Sequence, residues 1–174
     1  MSKILAFAGS SSFTSINHAI AAYVASLVQG QEVEVLRLSE LNIPMYGMDK
    51  EKEKGIPESA QAFLAKIKEA DALILSVAEH NSNVTAYFKS SFDWLSRIDP
   101  KFLAGKKALL LSTSDGGRGA MTAREIAEKS LIRFGAEVVA SIGIPKYSEV
   151  FVDGTLTDNE LNTDIASALG QMMG

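Results

Sequence analysis

Cysteine is absent from the 174 residues. Its absence excludes disulfides, thiol redox chemistry and thiolate metal sites. It also accords with a reducing compartment, so a cytoplasmic location is expected. Proline occupies only 4 positions and apolar residues make up 47%, which excludes an extended disordered chain. An excess of positive charge is lacking too. The formal net charge is −4, so neither nucleic acid nor an anionic membrane surface is the expected partner. No apolar run approaches a membrane span, and the first, Ile4 to Ala8, is too short for the hydrophobic segment of a signal peptide. The 2 histidines, His18 and His80, lie in different segments. No His/Asp/Glu spacing resembles a metal site, and there is no G-x-S-x-G nucleophile elbow.

What is present is an alternation of short apolar runs with helical periodicity. Runs at Lys3–Ala8, Val33–Leu38, Ala72–Val77, Lys107–Ser112 and Glu137–Ile142 read as strands. Between and after them, apolar residues recur at helical spacing. Ile16, Ile20, Tyr23, Val24 and Leu27 mark one helix. Ala60, Phe63, Leu64 and Ile67 mark a second, entered through Pro57 and Glu58. Val84, Tyr87, Phe88, Ser91, Phe92 and Leu95 mark a third, closed by Asp99-Pro100. Met121, Ile126, Leu131 and Phe134 mark a fourth with Gly135 as its C′ residue, and Leu161, Ile165, Leu169 and Met172 mark a fifth. The stretch FVDGTL, residues 151–156, reads as a small Asp-Gly turn. The mixed-sign run from Asp49 to Lys54 reads as a solvated loop.

Continuous apolar strands separated by helices imply a parallel sheet covered on both faces. The expectation is α/β: one domain over residues 1–174, a three-layer sandwich with a five-stranded parallel sheet of flavodoxin-like order 2-1-3-4-5. A ligand on such a sheet binds beyond the C-terminal strand ends, where the strand order reverses. The loops expected there are GSSSFTSIN (residues 9–17), AEHNSNV (78–84) and STSDGGRGA (112–120), all rich in Gly, Ser, Thr and Asn.

In the first loop a helix starting near Asn17 offers unpaired N–H groups and a partial positive charge. Hydroxyls at Ser10, Ser12, Thr14 and Ser15 add donors, and Gly9 lets the backbone turn and approach a ligand. These features suit an anion without any Lys or Arg. The plainer alternative is that Ser15 is an N-cap and nothing more. Other phosphate loops do not fit. Thr14 stands where a Walker loop needs its second Gly, and Thr122 stands where a dinucleotide fingerprint begun at Gly117 and Gly119 needs its last. In the third loop, Asp115-Gly116-Gly117-Arg118-Gly119 either lets backbone amides approach a flat ligand or is a flexible link. His18 reads as a surface or packing residue of the first helix. Glu79 and Asp93 read as a helix-dipole partner and a surface charge. Acids are missing at the ends of the first and third strands, which carry Ala8, Gly9, Ser76 and Val77. That excludes a phosphoacceptor receiver domain.

At these three loops the chain resembles the NAD(P)H-dependent FMN reductase family, flavodoxin-like proteins that include quinone, chromate and azo-dye reductases. Gly9, Ser10, Ser15 and Asn17 match the family's first loop, with Ser12 in place of an Arg. Glu79, Asn81, Lys89, Asp93 and Trp94 match the second loop and its helix in register, while Ala78, His80, Asn83, Thr85, Phe88 and Ser90 depart from it. Ser112, Ser114, Gly116, Gly117 and Gly119 match the third, with Asp115 for Pro and Ala120 for Gly. The run from Leu103 to Leu110 also looks like the family's lead into the fourth strand, so the resemblance covers nearly the whole chain.

The resemblance implies FMN as cofactor and NADPH or NADH as hydride donor, serving a small-molecule electron acceptor. It places the phosphate on Ser10, Ser12, Ser15, Ile16 and Asn17. The ring meets Ala78, Glu79, His80, Asn81 and Ser82 on one side and Ser114, Asp115, Gly116 and Gly117 on another. The cofactor would carry the chemistry, so no catalytic acid or base is assigned. An Arg lost at Ser12 removes a charge-assisted contact worth ~1.5–3 kcal/mol, or roughly ten- to a hundredfold in affinity, and implies loose binding. His80 is either a pH-sensitive neighbour of the ring or a flat substitute for the family's Tyr. A homodimer or homotetramer is implied, with Trp94 and Phe92 either at the interface or in the core, the core being preferred for Phe92. Three functions use these loops: an FMN-dependent NAD(P)H oxidoreductase acting on quinones or flavins, a flavodoxin-like electron carrier, and a regulatory module that has lost the cofactor.

Overall fold

The computed structural model describes residues 2–174. Five parallel strands form the central sheet: β1 (Lys3–Gly9), β2 (Glu32–Leu36), β3 (Ala72–Val77), β6 (Lys107–Thr113) and β7 (Glu137–Ile144). Their order is β2-β1-β3-β6-β7. Two 2-residue ladders interrupt the numbering: β4 (Glu79–His80) with β5 (Asn83–Val84), and β8 (Phe151–Val152) with β9 (Thr155–Leu156). With these hairpins set aside the order is the expected 2-1-3-4-5, the flavodoxin-like arrangement.

The helices are α1 (Ile16–Ser26), α2 (Met48–Lys54), α3 (Glu58–Glu69), α4 (Ala86–Ile98), α5 (Met121–Arg133), α6 (Tyr147–Val150) and α7 (Asn159–Met173). The two faces of the sheet feed separate cores, because successive strand residues point to opposite sides. Leu5, Phe7, Leu73 and Leu75 pack with Phe63, Phe88, Phe92 and Leu131 on one face. Ile4, Ala6, Ile74 and Leu109 pack with Ile20, Val24, Ile165 and Leu169 on the other. β3 is buried along its whole length, as a central strand covered on both faces must be.

Several boundaries differ from the sequence reading for identifiable reasons. The run from Asp49 to Lys54 is helical, within α2, rather than a loop. Asp49 and Glu51 fall in its first turn and Lys52 and Lys54 in its last, the order that complements the helix dipole. Glu51 also binds Arg97 at 2.9 Å and the Tyr46 hydroxyl at 2.9 Å, tying α2 to α4. Val84 belongs to the β4–β5 hairpin. α4 starts after Thr85, whose Oγ1 accepts from the Phe88 N–H at 3.1 Å and donates to the Gly9 carbonyl at 2.9 Å. That cap starts the helix later than apolar periodicity suggests. Strand two stops at Leu36, and Leu38–Leu41 form a 3₁₀ turn. Gly135 follows α5 with φ +105°, as a C′ residue. Asp153 and Gly154 both take positive φ, so FVDGTL is a hairpin turn as read.

Trp94 is 1% exposed, its Nε1–H donates to the Pro44 carbonyl at 2.8 Å, and its ring meets Tyr46 edge-on. It is a core residue of this chain, and so is Phe92.

Candidate functional site

β1, β3 and β6 are adjacent in the sheet, and their C-terminal ends open into one shallow cavity of about 280 Å³. β1 and β3 flank the point where the strand order reverses. The cavity is lined by Ser10, Ser12, Thr14, Ser15, Ile16, Asn17, Ala78, Glu79, His80, Thr113, Ser114 and Asp115. Ten of the fourteen residues expected from the sequence are therefore brought together. Asn81, Ser82, Gly116 and Gly117 lie in the same two loops, outside the lining. A larger cavity of about 720 Å³ lies between α4 and α5 against Phe88, Phe92 and Phe134. It shares no lining residue with the first cavity, although Asn83 and Val84 of the β4–β5 hairpin border it.

The first loop bonds to itself in steps of two residues. Ser10 Oγ accepts from the Ser12 N–H at 3.2 Å, and Ser12 Oγ accepts from the Thr14 N–H at 3.2 Å. Ser15 caps α1, its Oγ accepting from the His18 N–H at 3.2 Å. The cap and the anion cup are thus not alternatives. A hydroxyl that accepts through a lone pair keeps its proton to donate elsewhere. The N–H groups of Ile16 and Asn17, in the first helical turn, have no intrahelical acceptor. Ser10, Ser12, Ser15, Ile16 and Asn17 all line the cavity, so three hydroxyls and two helix-terminal amides border it at the positive helix end.

The Asn17 side chain braces the walls of the cavity. It is 2% exposed, and its Nδ2 donates to the Thr113 carbonyl at 3.1 Å. Its Oδ1 accepts from the Thr113 N–H at 3.0 Å and from Ser76 Oγ at 2.8 Å. The amide laces α1 to the ends of β3 and β6, and the Asn17 backbone N–H stays open at the first turn of the helix.

The second loop is a tight hairpin. Asn81 and Ser82 both take positive φ, 50° and 58°, the backbone of a type I′ turn. Glu79 turns its carboxylate to α5, accepting from the Ala123 N–H at 3.0 Å. This is the helix-dipole role read from the sequence. His80 is exposed on the same hairpin.

The third loop is anchored from behind. The Gly116 carbonyl accepts from the N–H groups of Gly119 and Lys146, and the Ser114 carbonyl accepts from Tyr147 N–H. Asp115 Oδ1 accepts from Ser148 N–H at 3.0 Å and Oγ at 2.6 Å. Those bonds hold its carboxyl below the ordinary carboxylate range. Both acids lining the cavity thus spend a carboxylate oxygen on donors of neighbouring segments, Glu79 on the start of α5 and Asp115 on Ser148.

The glycines separate into two kinds. Gly119 takes φ +55° and lies so close to Ile144 that a Cβ would sit 2.9 Å from its carbonyl carbon. A Cβ on Gly117 would meet nothing within 4 Å, and one on Gly116 only Ser114 Oγ at 3.6 Å. Neither has positive φ. Packing within the chain does not require glycine at 116 or 117, and the missing side chains leave that backbone open to close approach.

His18 lies outside the cavity lining. Burial, and then the charge of Arg37, hold its imidazole below the ordinary value of 6.5. Thr113 is the lining residue that sequence reasoning missed. The signal was present in Ser112-Thr113-Ser114, a polar run at the end of an apolar strand. Ser76 gave a similar sign, a hydroxyl inside the apolar run ALILSV. Among the described residues, no group of three or more His, Cys, Asp or Glu is placed to hold a metal. No helix there is long and apolar enough to cross a membrane.

Comparison with known proteins agrees with this geometry. A family profile described as NADPH-dependent FMN reductase matches residues 2–147. The chain is similar to a quinone reductase of Escherichia coli K12, 30% identical over 125 residues, 66% of each protein. The match therefore spans just under two thirds of that relative's length. It is also similar to an NAD(P)H-dependent FMN reductase of Pseudomonas aeruginosa, 30% identical over 131 residues, 75% of this chain and 69% of that one. Among solved structures, the flavoenzyme NAD(P)H:acceptor oxidoreductase FerB from Paracoccus denitrificans superposes with a TM-score of 0.78 at 23% identity. It covers 99% of this chain and 98% of that one, and shares the fold.

Proposed function

The chain belongs to the NADPH-dependent FMN reductase family, and from that premise we propose that it is an FMN-dependent NAD(P)H oxidoreductase serving a quinone, a flavin or a similar small acceptor. The observation that carries the reading is the cup itself: hydroxyls, open helix-terminal amides and two glycines without a packing reason, gathered at the strand-order reversal.

FMN, when bound, supplies two-electron hydride chemistry. The chain's own part is binding and orientation. The N–H groups of Ile16 and Asn17 and the hydroxyls of Ser10, Ser12 and Ser15 hold the phosphate. The backbone of Ala78, Glu79, His80, Asn81 and Ser82 borders the ring on one side. Ser114, Asp115, Gly116 and Gly117 border it on the other. Amides of that kind stabilise negative charge on a bound ring because they are already aimed and need no reorganisation. The type I′ turn and the Asp115–Ser148 anchor keep the two bordering loops in place. A cavity of about 280 Å³ is small for a whole nucleotide, so much of the ring stays open to a donor and an acceptor arriving in turn.

The same reading takes residues 1–174 as one flavin-binding domain, working in the cytoplasm as a homodimer or homotetramer. The absence of cysteine supports the compartment. The half-apolar groove between α4 and α5 offers a face for a second copy.

The test is spectroscopic. The protein saturated with FMN is expected to quench flavin fluorescence, to bleach near 450 nm when NADPH or NADH is added anaerobically, and to recover its colour with a quinone. Flavin binding without bleaching by either nucleotide would favour an electron carrier instead. Absence of flavin binding would sink the proposal.

A further inference from the structure

The first loop contains no Lys or Arg between Gly9 and Asn17, yet a cation reaches it from elsewhere. Arg37 follows directly on β2, and β2 lies beside β1 in the sheet, so the two strand ends emerge side by side. The Arg37 Nη1 donates to the Phe13 carbonyl at 3.0 Å, across 24 residues of sequence. The Phe13 ring is 72% exposed, so ring packing does not hold the loop tip. The loop's side-chain bonds run within itself, from Ser10 to Ser12 and from Ser12 to Thr14. The Arg37 bond is what ties this tip to the body of the sheet.

The guanidinium has further capacity. One of its five N–H groups is used on Phe13. Its Nε lies 3.7 Å from Glu40, an exposed carboxylate in the 3₁₀ turn. Its charge also bears on His18, in the first turn of α1, where it is second to burial in lowering the imidazole. The charge of Arg37 therefore acts on the helix end that forms the floor of the cup.

We propose that Arg37 is a positioning residue for the phosphate cup, holding the Ser10–Ser15 loop in its anion-binding shape through the Phe13 carbonyl and supplying, from outside the loop, the positive charge the loop lacks. This rests on the flavin reading above and adds a discrimination to it: Arg37 favours the phosphorylated flavin over riboflavin. A half-exposed cation near an anion gains about fivefold in affinity, and more where water is excluded.

The experiment titrates full-length protein with FMN and with riboflavin, following flavin fluorescence, for the parent, Arg37→Met and Arg37→Lys, each first checked for unchanged circular dichroism. Arg37→Met is expected to weaken FMN about fivefold or more, to leave riboflavin within about twofold, and to flatten the salt dependence of FMN binding. Arg37→Lys is expected to recover part of the loss. Equal weakening of both flavins, with an unchanged salt slope, means a merely structural contact and overturns the proposal. So does an unchanged FMN affinity in Arg37→Met. If the parent binds FMN tightly in those cases, the flavin reading survives while the role of Arg37 fails. If the parent binds neither flavin, the flavin reading fails and the role of Arg37 falls with it.

Discussion

Asn17 and Thr113 form a two-way pair: the Asn17 amide donates to the Thr113 carbonyl at 3.1 Å and accepts from the Thr113 N–H at 3.0 Å. A side chain on α1 thereby completes the backbone bonding of the last residue of β6. Because Asn17 Oδ1 also accepts from Ser76 Oγ, one buried amide fixes the relative positions of three walls of the cavity. Asn17→Ala is expected to leave the Thr113 N–H and carbonyl and the Ser76 hydroxyl without partners. Each unpaired buried group is costly, so a loss of about 2–4 kcal/mol is expected in urea unfolding. Asn17→Asp keeps the acceptor but places a carboxylate oxygen against the Thr113 carbonyl, so it is expected to destabilise as well.

Ser15 caps α1 and is proposed as a phosphate donor as well, and one substitution separates the two roles. Aspartate is as good an N-cap as serine, so Ser15→Asp is expected to leave the unfolding midpoint nearly unchanged. It sets a negative charge among the phosphate donors, and FMN affinity is expected to fall by at least about tenfold. A Ser15→Asp protein that binds FMN like the parent would remove Ser15 from the phosphate site.

Gly9 ends β1 against the ring of Phe88. A Cβ there would lie 2.9 Å from Cδ2 and 3.0 Å from Cγ of that ring, and Phe88 is held in the core by Phe92. Gly9→Ala is expected to destabilise by about 1–3 kcal/mol through overpacking. Phe88→Leu introduced with it is expected to cost less than the sum of the two single changes, because the pair shares one contact. Thermal unfolding of the four proteins measures the coupling.

His18 gives the chain a pH-dependent contribution with a definite sign. Burial first, and Arg37 second, lower its pKa from 6.5 in the folded state. The folded protein therefore binds fewer protons than the unfolded chain at mildly acidic pH. The contribution is present above the unfolded value and is lost as pH falls through the folded one. His18→Gln is expected to show a shallower loss of stability between about pH 7 and 5 than the parent, measured by denaturant midpoints at each pH.

Much of this architecture was readable from local pattern. Strand three was found at its observed limits, Ala72–Val77, because a fully buried strand is a continuous apolar run. The Asp153-Gly154 turn and the Gly135 cap were readable because positive φ selects a few residue types. Where periodicity misled, a side-chain bond had intervened: Thr85 capping α4 past Val84, or Glu51 joining Arg97 and Tyr46 to give α2 a tertiary anchor. The three loops of the cavity were legible for a topological reason, since a parallel sheet sends alternate connections to one end.

What was not legible is how each polar atom in those loops is used. Asn17 spends its amide on residues 96 and 59 positions away. Glu79 turns to α5, Asp115 to Ser148, and Arg37 arrives from the neighbouring strand. Apolar period, turn chemistry and strand order are properties of neighbouring residues, so the sequence alone determined the layers, the sheet and the end of the sheet that collects a ligand. A hydrogen bond has direction and a reach of about 3 Å. Which donors remain free for that ligand was decided only when distant segments were brought together.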